Sequence, residues 1–230
     1  VFGRTYALKS IAYFEFPDGV AVAAYNTPKN LHALTQNQQM EHYLILEQAQ
    51  KNPDVKVLVW TATGTRAFNA GAALRGEFTI QLPKRTTKAY SDVNMSPMKG
   101  DFVLARLTKA FWDFPKPLIM AVNGLAVGGG ANIALANFAD IVIASTNARF
   151  MYPFSKIGFT PELGSSLMIP FVTGMTQSKR ILMAGEWFSA DEAKSLGLVT
   201  KVHSPETLFS EAIVLARELA SRKQGTLREM

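Results

Sequence analysis

The 230-residue chain contains no cysteine, which excludes structural disulfides, cysteine-ligated zinc and a cysteine nucleophile. Its only histidines are His32, His42 and His203. They are scattered, so no metal site is expected and each reads as a surface or packing residue. Charge is also sparse, 18% of residues against 48% hydrophobic, the balance of an ordinary folded domain. A chain of this length is expected to bury one core as a single domain over 1–230. The charge balance is nonetheless basic, +6 with a pI near 9.5, which can favour nucleic acid, anionic membranes or a polyanionic small molecule. Dense basic runs and basic motifs studded with aromatics are lacking. The clusters Lys84–Arg85, Lys179–Arg180 and Arg222–Lys223 are short, and a solvated surface is a better reading than a nucleic-acid patch. No signal-like apolar stretch opens the chain, and Arg228-Glu229-Met230 is not a Ser-Lys-Leu address.

The most informative stretch present is Leu125–Asn132, LAVGGGAN. Three glycines follow an apolar strand-like segment, 117–122, and open a helix-like one, 131–138. Glycine permits positive φ and close approach of a ligand to the main chain. A helix beginning there offers unpaired N–H groups and the positive end of its dipole, which suits a carbonyl oxygen that becomes an oxyanion. The run is not GxGxxG, and no Gly-Lys-Ser/Thr follows, so neither nucleotide fingerprint is met. A membrane span is the rival reading, because Leu118–Ala139 carries no charge and is long enough. Its asparagines and four glycines favour a buried strand, turn and helix instead.

Around this run, 11–16 and 20–25 flank Pro17-Asp18-Gly19 as a strand, turn and strand. Helices are predicted over 34–50, 101–112, 173–184, 189–196 and 205–221, and strands over 55–61, 117–122, 141–144 and 198–202. Ser189 is expected to cap its helix, with Glu192 completing a capping box. The polar stretch 75–100 has the look of a binding loop. Repeated alternation of strand and helix predicts an α/β domain with much parallel pairing.

A series of segments in fixed order resembles the crotonase superfamily, the enoyl-CoA hydratases and isomerases. The segments are PKNLHAL (28–34), FNAGAAL (68–74), KPLIMAVNGLAVGGG (116–130), ADIVIAS (139–145), ARFMYPFSKIG (148–158), TPELGSS (160–166) and SADEAKSLGLVTKV (189–202). The resemblance spans nearly the whole chain. It implies an α/β spiral of repeated β-β-α units, with helices around mostly parallel sheets, and lacking here the family's C-terminal helical extension. It also implies an acyl-CoA substrate, no separate cofactor, and a homotrimer or hexamer. The compartment it suggests is a peroxisome or mitochondrial matrix in a eukaryote and the cytoplasm otherwise. From the residues themselves no membrane partner is expected, and the short charge clusters disfavour a nucleic-acid partner.

By the same resemblance, the amides of Ala72 and Gly129 hold the thioester oxygen. Lys29, Arg66 and Arg75 meet the phosphates of CoA, and the carbonyl oxygens of Ala70 and Ala72 face the adenine. Each basic residue also reads as a solvated charge, and 68–74 taken alone reads as a tight turn. Phe102, Leu104, Phe111, Met120, Tyr152 and Phe154 are candidates for an acyl tunnel or plain core. Adding water to an enoyl group benefits from two carboxylates. The places where hydratases of the family carry them hold Asn132 and Phe154, and Ala73 stands where many members carry Asp. A single acid, Glu162, matches the catalytic position of the Δ3,Δ2-enoyl-CoA isomerases, particularly the peroxisomal kind. Isomerisation needs only one base, taking a proton from C2 and returning it at C4.

Flanking Phe159, Leu163, Leu167 and Met168 are expected to raise the Glu162 pKa, and a following helix to lower it. The sequence leaves that balance open, and it leaves Glu162 readable as an ordinary acid at a helix start. The expected activity is therefore the isomerase. A hydratase or other acyl-CoA reaction is the alternative, and an inactive RNA-binding or scaffold homologue is the alternative of another class.

Overall fold

The computed structural model describes residues 5–6, 8–73, 99–136 and 138–229. Eleven strands among them form two sheets. Strands β1 (Thr5–Tyr6), β2 (Ile11–Glu15) and β3 (Val20–Tyr25) pair antiparallel, and Gly19 at φ +88° closes the turn between β2 and β3. Beyond β3 lie β4 (Val57–Ala62), β5 (Ala67–Asn69), β6 (Leu118–Val122), β7 (Leu125–Val127), β8 (Ile141–Ser145), β9 (Arg149–Met151), β10 (Phe188–Ser189) and β11 (Lys201–His203). The large sheet runs β1-β2-β3-β4-β6-β8-β11, parallel from β3 onward. The small sheet runs β10-β9-β7-β5, with β5, β7 and β9 parallel. Each strand pair in turn (β4 with β5, β6 with β7, β8 with β9) sends its first member to the large sheet and its second to the small one. This is the expected α/β spiral of β-β-α units, built on mostly parallel sheets.

Strand periodicity explains why the large sheet is buried on both faces. Val57 and Val59 of β4 and Ile119 and Ala121 of β6 face one side, where Leu208, Ala212, Ala216 and Ala220 of the helix Leu208–Ala220 cover them. The alternate residues Leu58, Trp60, Leu118 and Met120 enter the main core beneath the helices Gln36–Lys51 and Lys99–Trp112. The valine, leucine, isoleucine and methionine side chains among these each contribute about 1.5–3 kcal/mol when fully buried.

The uncharged run 118–139 divides into β6, β7 and the helix Gly129–Leu135, the strand, turn and helix expected of it, and among the described residues no helix is long and apolar enough to cross a membrane. Several other local expectations are corrected. The predicted helix 173–184 begins two residues late, at Met175–Lys179, because Gly174 at φ +77° ends a separate helix, Ser165–Thr173, immediately before it. A π-helical turn, Arg180–Ala184, follows. Ser189 Oγ accepts the N–H of Glu192 at 3.1 Å, but the Glu192 carboxylate pairs with Arg180 rather than closing the capping box. The last long helix starts at Leu208 rather than 205, and the strand predicted over 198–202 is found at Lys201–His203.

Candidate active site

The glycine run sits where β7 hands over to a helix. Gly128, at φ +52°, donates its N–H to the carbonyl of Met151 at 2.9 Å, and Gly129 is the first helical residue. Its N–H therefore has no partner within the helix. Across from it, the loop 31–34 is zipped to 70–73 by main-chain bonds. Ala70 N–H donates to Leu31 O (3.0 Å), Leu34 N–H to Gly71 O (2.7 Å) and Ala73 N–H to Leu34 O (3.1 Å). This is parallel bridging of Leu34 with Ala72, and it turns the Ala72 N–H to the opposite edge. No acceptor among the described residues takes the N–H of Ala72 or of Gly129.

The two segments abut. A Cβ on Gly71 would lie 3.3 Å from the Gly129 nitrogen. A Cβ on Gly129 would lie 2.9 Å from Leu34 Cδ1 and 3.5 Å from Glu162 Oε1. The fold thus brings Glu162 beside the glycine run, 33 residues along the chain from Gly129. Its turn is tightly specified. Leu163 and Gly164 follow with φ of +50° and +79°, and a Cβ on Gly164 would meet the Trp112 indole at 2.8 Å. The Glu162 carbonyl accepts both the N–H and the Oγ–H of Ser165, at 3.0 and 2.7 Å. A leucine held at positive φ stores strain of the kind found at functional turns.

Partial burial raises the Glu162 pKa above the ordinary carboxylate value. The apolar wall expected from the neighbouring sequence is corrected, however. Leu163 is buried, but Phe159 and Leu167 are 68% and 65% exposed. Asn132 and Phe154, which the resemblance sets at the two hydratase positions, are both buried, and neither can act as a base. Asn132 is fully enclosed, with no partner for either polar atom of its side chain among the described residues. Phe154 borders Gly128, its Cζ 4.0 Å from a Cβ placed there.

Of the tunnel candidates, Phe111 and Met120 are core. Phe111 stacks on Phe138 at 5.2 Å, and Met120 lies within β6 with no exposed surface. Tyr152 is also enclosed and donates to the carbonyl of Ala131 at 3.3 Å. The side chains of Phe102 and Leu104, and all of Arg75 and most of the 75–100 stretch, lie outside the described residues. Lys29, in the 3-10 turn Pro28–Asn30, and Arg66 are exposed. Ala70 is half-buried, and no described donor takes its carbonyl oxygen or that of Ala72. Among the described residues no group of three His, Asp or Glu is placed to hold a metal.

Sequence reading missed His32, which fastens the loop carrying Lys29. It accepts the Thr27 N–H at Nδ1 (3.0 Å) and donates from Nε2 to the carbonyl of Thr63 (3.0 Å), while Leu31 and His32 both sit at positive φ. Two consecutive non-glycine residues in that region need such a fastening. A lone histidine in a loop gave no signal for it.

The sequence profile described as enoyl-CoA hydratase/isomerase matches residues 15–230. The chain belongs to the enoyl-CoA hydratase/isomerase family. A short-chain-enoyl-CoA hydratase of Clostridium acetobutylicum is 33% identical over 88% of this chain and 72% of its own length. Enoyl-CoA delta isomerase 2 of Rattus norvegicus is 30% identical over 91% of this chain, which corresponds to 50% of that protein. The crystal structure of an enoyl-CoA hydratase/isomerase from Pseudoalteromonas atlantica superposes with a TM-score of 0.81 at 28% identity, covering 96% of this chain and 80% of that one. The chain is thus similar both to hydratases and to an isomerase of this family.

Proposed function

We propose that this member of the family is a Δ3,Δ2-enoyl-CoA isomerase with Glu162 as its acid and base. The observation that carries this reading is a carboxylate, Glu162, 3.5 Å from the Cβ position of Gly129, beside two main-chain amides and with Asn132 and Phe154 where a second carboxylate would be needed for hydration. In this reading the thioester oxygen of a 3-enoyl-CoA accepts from the N–H groups of Ala72 and Gly129. Glu162 removes a proton from C2, and the electron pair left behind delocalises into the thioester carbonyl. The resulting dienolate is stabilised by donors already in place. The protonated Glu162 then delivers the proton to C4, the C2–C3 double bond forms, and the carboxylate is restored. A base that must give its proton back is served by a pKa raised toward neutrality. Lys29, Arg66 and Arg75 are assigned to the CoA phosphates.

The test compares 3-enoyl-CoA isomerisation with crotonyl-CoA hydration in the wild type and in Glu162→Gln. Isomerisation abolished by Glu162→Gln with CoA-thioester binding retained is expected. Full isomerase activity in that variant, or efficient hydration by the wild type with no isomerisation, removes the assignment.

A further inference from the structure

Behind the site, a series of hydrogen bonds runs through side chains that have no exposed surface, those of Tyr25, His42, Gln38 and Asn69. The Tyr25 hydroxyl is 2.6 Å from His42 Nε2, and His42 Nδ1 is 2.6 Å from the carbonyl oxygen of Gln38. A carbonyl only accepts, so Nδ1 carries the proton and Nε2 accepts from Tyr25. Gln38 lies in the first turn of Gln36–Lys51, where Thr35 Oγ1 accepts its N–H at 3.1 Å. In a Thr-x-x-Gln capping box the glutamine side chain reaches back to the capping residue. Here its Oε1 accepts instead from Asn69 Nδ2, at 3.3 Å.

Asn69 passes this connection to both amide-bearing segments. Its Oδ1 accepts the N–H of Gly71 at 2.9 Å, an Asx turn that ends one residue before Ala72. Its own carbonyl oxygen lies where β5 bulges against β7, and would be 2.1 Å from a Cβ on Gly130. Asn69 Oδ1 would lie 2.8 Å from the same point. One enclosed residue is therefore wedged between the turn leading to Ala72 and the start of the Gly129 helix.

We propose that Asn69, held by Gln38, is a positioning residue that sets the direction of the Ala72 N–H and its spacing from the Gly129 N–H. This rests on the reading that those two amides receive the thioester oxygen. With no surface of its own in the site, Asn69 acts through the backbone alone. Donors that stabilise a developing oxyanion do so because they are aimed beforehand, and a displacement near 1 Å costs on the order of 100-fold in rate.

The experiment replaces Asn69 by Leu, which keeps its forked outline without polar atoms, and by Asp, which keeps an acceptor for the Gly71 N–H. Gln38 Nε2 is without a partner, so a rotated Gln38 carboxamide can donate to the aspartate. Gln38→Met is the companion variant. The kcat and KM for a 3-enoyl-CoA are measured, together with the absorption of a bound conjugated dienoyl-CoA, whose band moves to longer wavelength as its carbonyl is polarised. Asn69→Leu is expected to lower kcat on the order of 100-fold with little change in KM or dienoyl-CoA affinity, and to lose most of the wavelength shift. Asn69→Asp is expected to recover much of both, and Gln38→Met to move both in the same direction by less.

Wild-type kcat and wavelength shift in Asn69→Leu overturn the proposal. So does a loss of activity that merely tracks a loss of folded protein and of ligand binding. If Asn69→Leu does not fold, Gln38→Met is judged by the same criteria. A wild type that gives no wavelength shift overturns the reading of Ala72 and Gly129 itself, a result distinct from a shift that survives in Asn69→Leu.

Discussion

A Cβ placed on Gly71 would lie 2.4 Å from the carbonyl oxygen of Val127, where the two sheet-derived segments of the site meet. Gly71 also holds φ at +79°, so an alanine there faces both a steric and a torsional penalty. Gly71→Ala is expected to destabilise the fold by about 2–4 kcal/mol and to separate the 70–73 and 127–130 segments. The shift in urea midpoint measures the first effect, and loss of the proposed isomerase activity in the protein that remains folded measures the second.

Gly129→Ala should behave differently. Its φ is not in the left-handed region, and the new methyl would meet the movable tip of Leu34 at 2.9 Å. The same methyl would stand 3.5 Å from Glu162 Oε1, in the space assigned to the reacting atoms. Thermal stability near that of wild type with strongly reduced kcat is the expected pair of results. A variant that melts early while keeping its specific activity would contradict this assignment of the space.

Glu162 should leave a mark on both activity and stability. Its burial raises its pKa, and in the proposed role of base it must be ionised to accept a proton. The acidic limb of the kcat/KM profile is thus expected above the ordinary carboxylate value of 4.5. A raised carboxylate pKa makes the folded state hold more protons than the unfolded one. Its stabilising contribution is complete below the unfolded pKa and is lost as pH rises through the folded pKa. Glu162→Gln is therefore expected to melt higher than wild type at pH near 7, with the advantage vanishing near pH 4. Melting curves at the two pH values check this.

His42 works in the opposite sense. Burial lowers its pKa from 6.5 to about 4, so the unfolded chain binds the proton more readily. Stability is complete above pH 6.5 and falls as pH drops toward 4, by about 3 kcal/mol across that interval. His32, whose pKa burial also lowers, adds a loss of the same sign. Unfolding free energies across this range should show a shallower slope in His42→Gln than in wild type.

A fifth prediction concerns the sheet edge. The Glu41 carboxylate accepts the N–H groups of Lys9, Ser10 and Ile11 at 2.8, 2.9 and 2.9 Å, and the Ser10 hydroxyl at 2.8 Å. Removing it leaves buried donors unpaired. Glu41→Ala is expected to cost about 2–4 kcal/mol, read by denaturant unfolding, and to speed amide exchange in β2.

The strands were legible because 20–25 and 57–62 are almost unbroken apolar runs, as a sheet buried on both faces requires, and the glycine run was legible because few other structures require three glycines in succession. Helix ends were read less well. The helix predicted over 173–184 starts only at Met175 because Gly174 takes φ +77°, a conformation that glycine permits but does not demand. The apolar neighbours of Glu162 were misjudged for another reason. Positions 159 and 167 are close to Glu162 in sequence, yet both side chains are exposed to solvent in the fold.

The chain's own order of residues was sufficient for the α/β class, which periodicity carries, and for the family resemblance, which motif order carries and which implied the β-β-α repetition, because both are local properties carried in one dimension. The proximity of Glu162 to Gly129, the fastening of the Lys29 loop by His32 and the diversion of Gln38 from its helix cap to Asn69 were decided only by the packed fold. Each joins residues distant along the chain, and a hydrogen bond or a contact of a few ångströms depends on how sheets and helices stack rather than on which residues are neighbours in sequence.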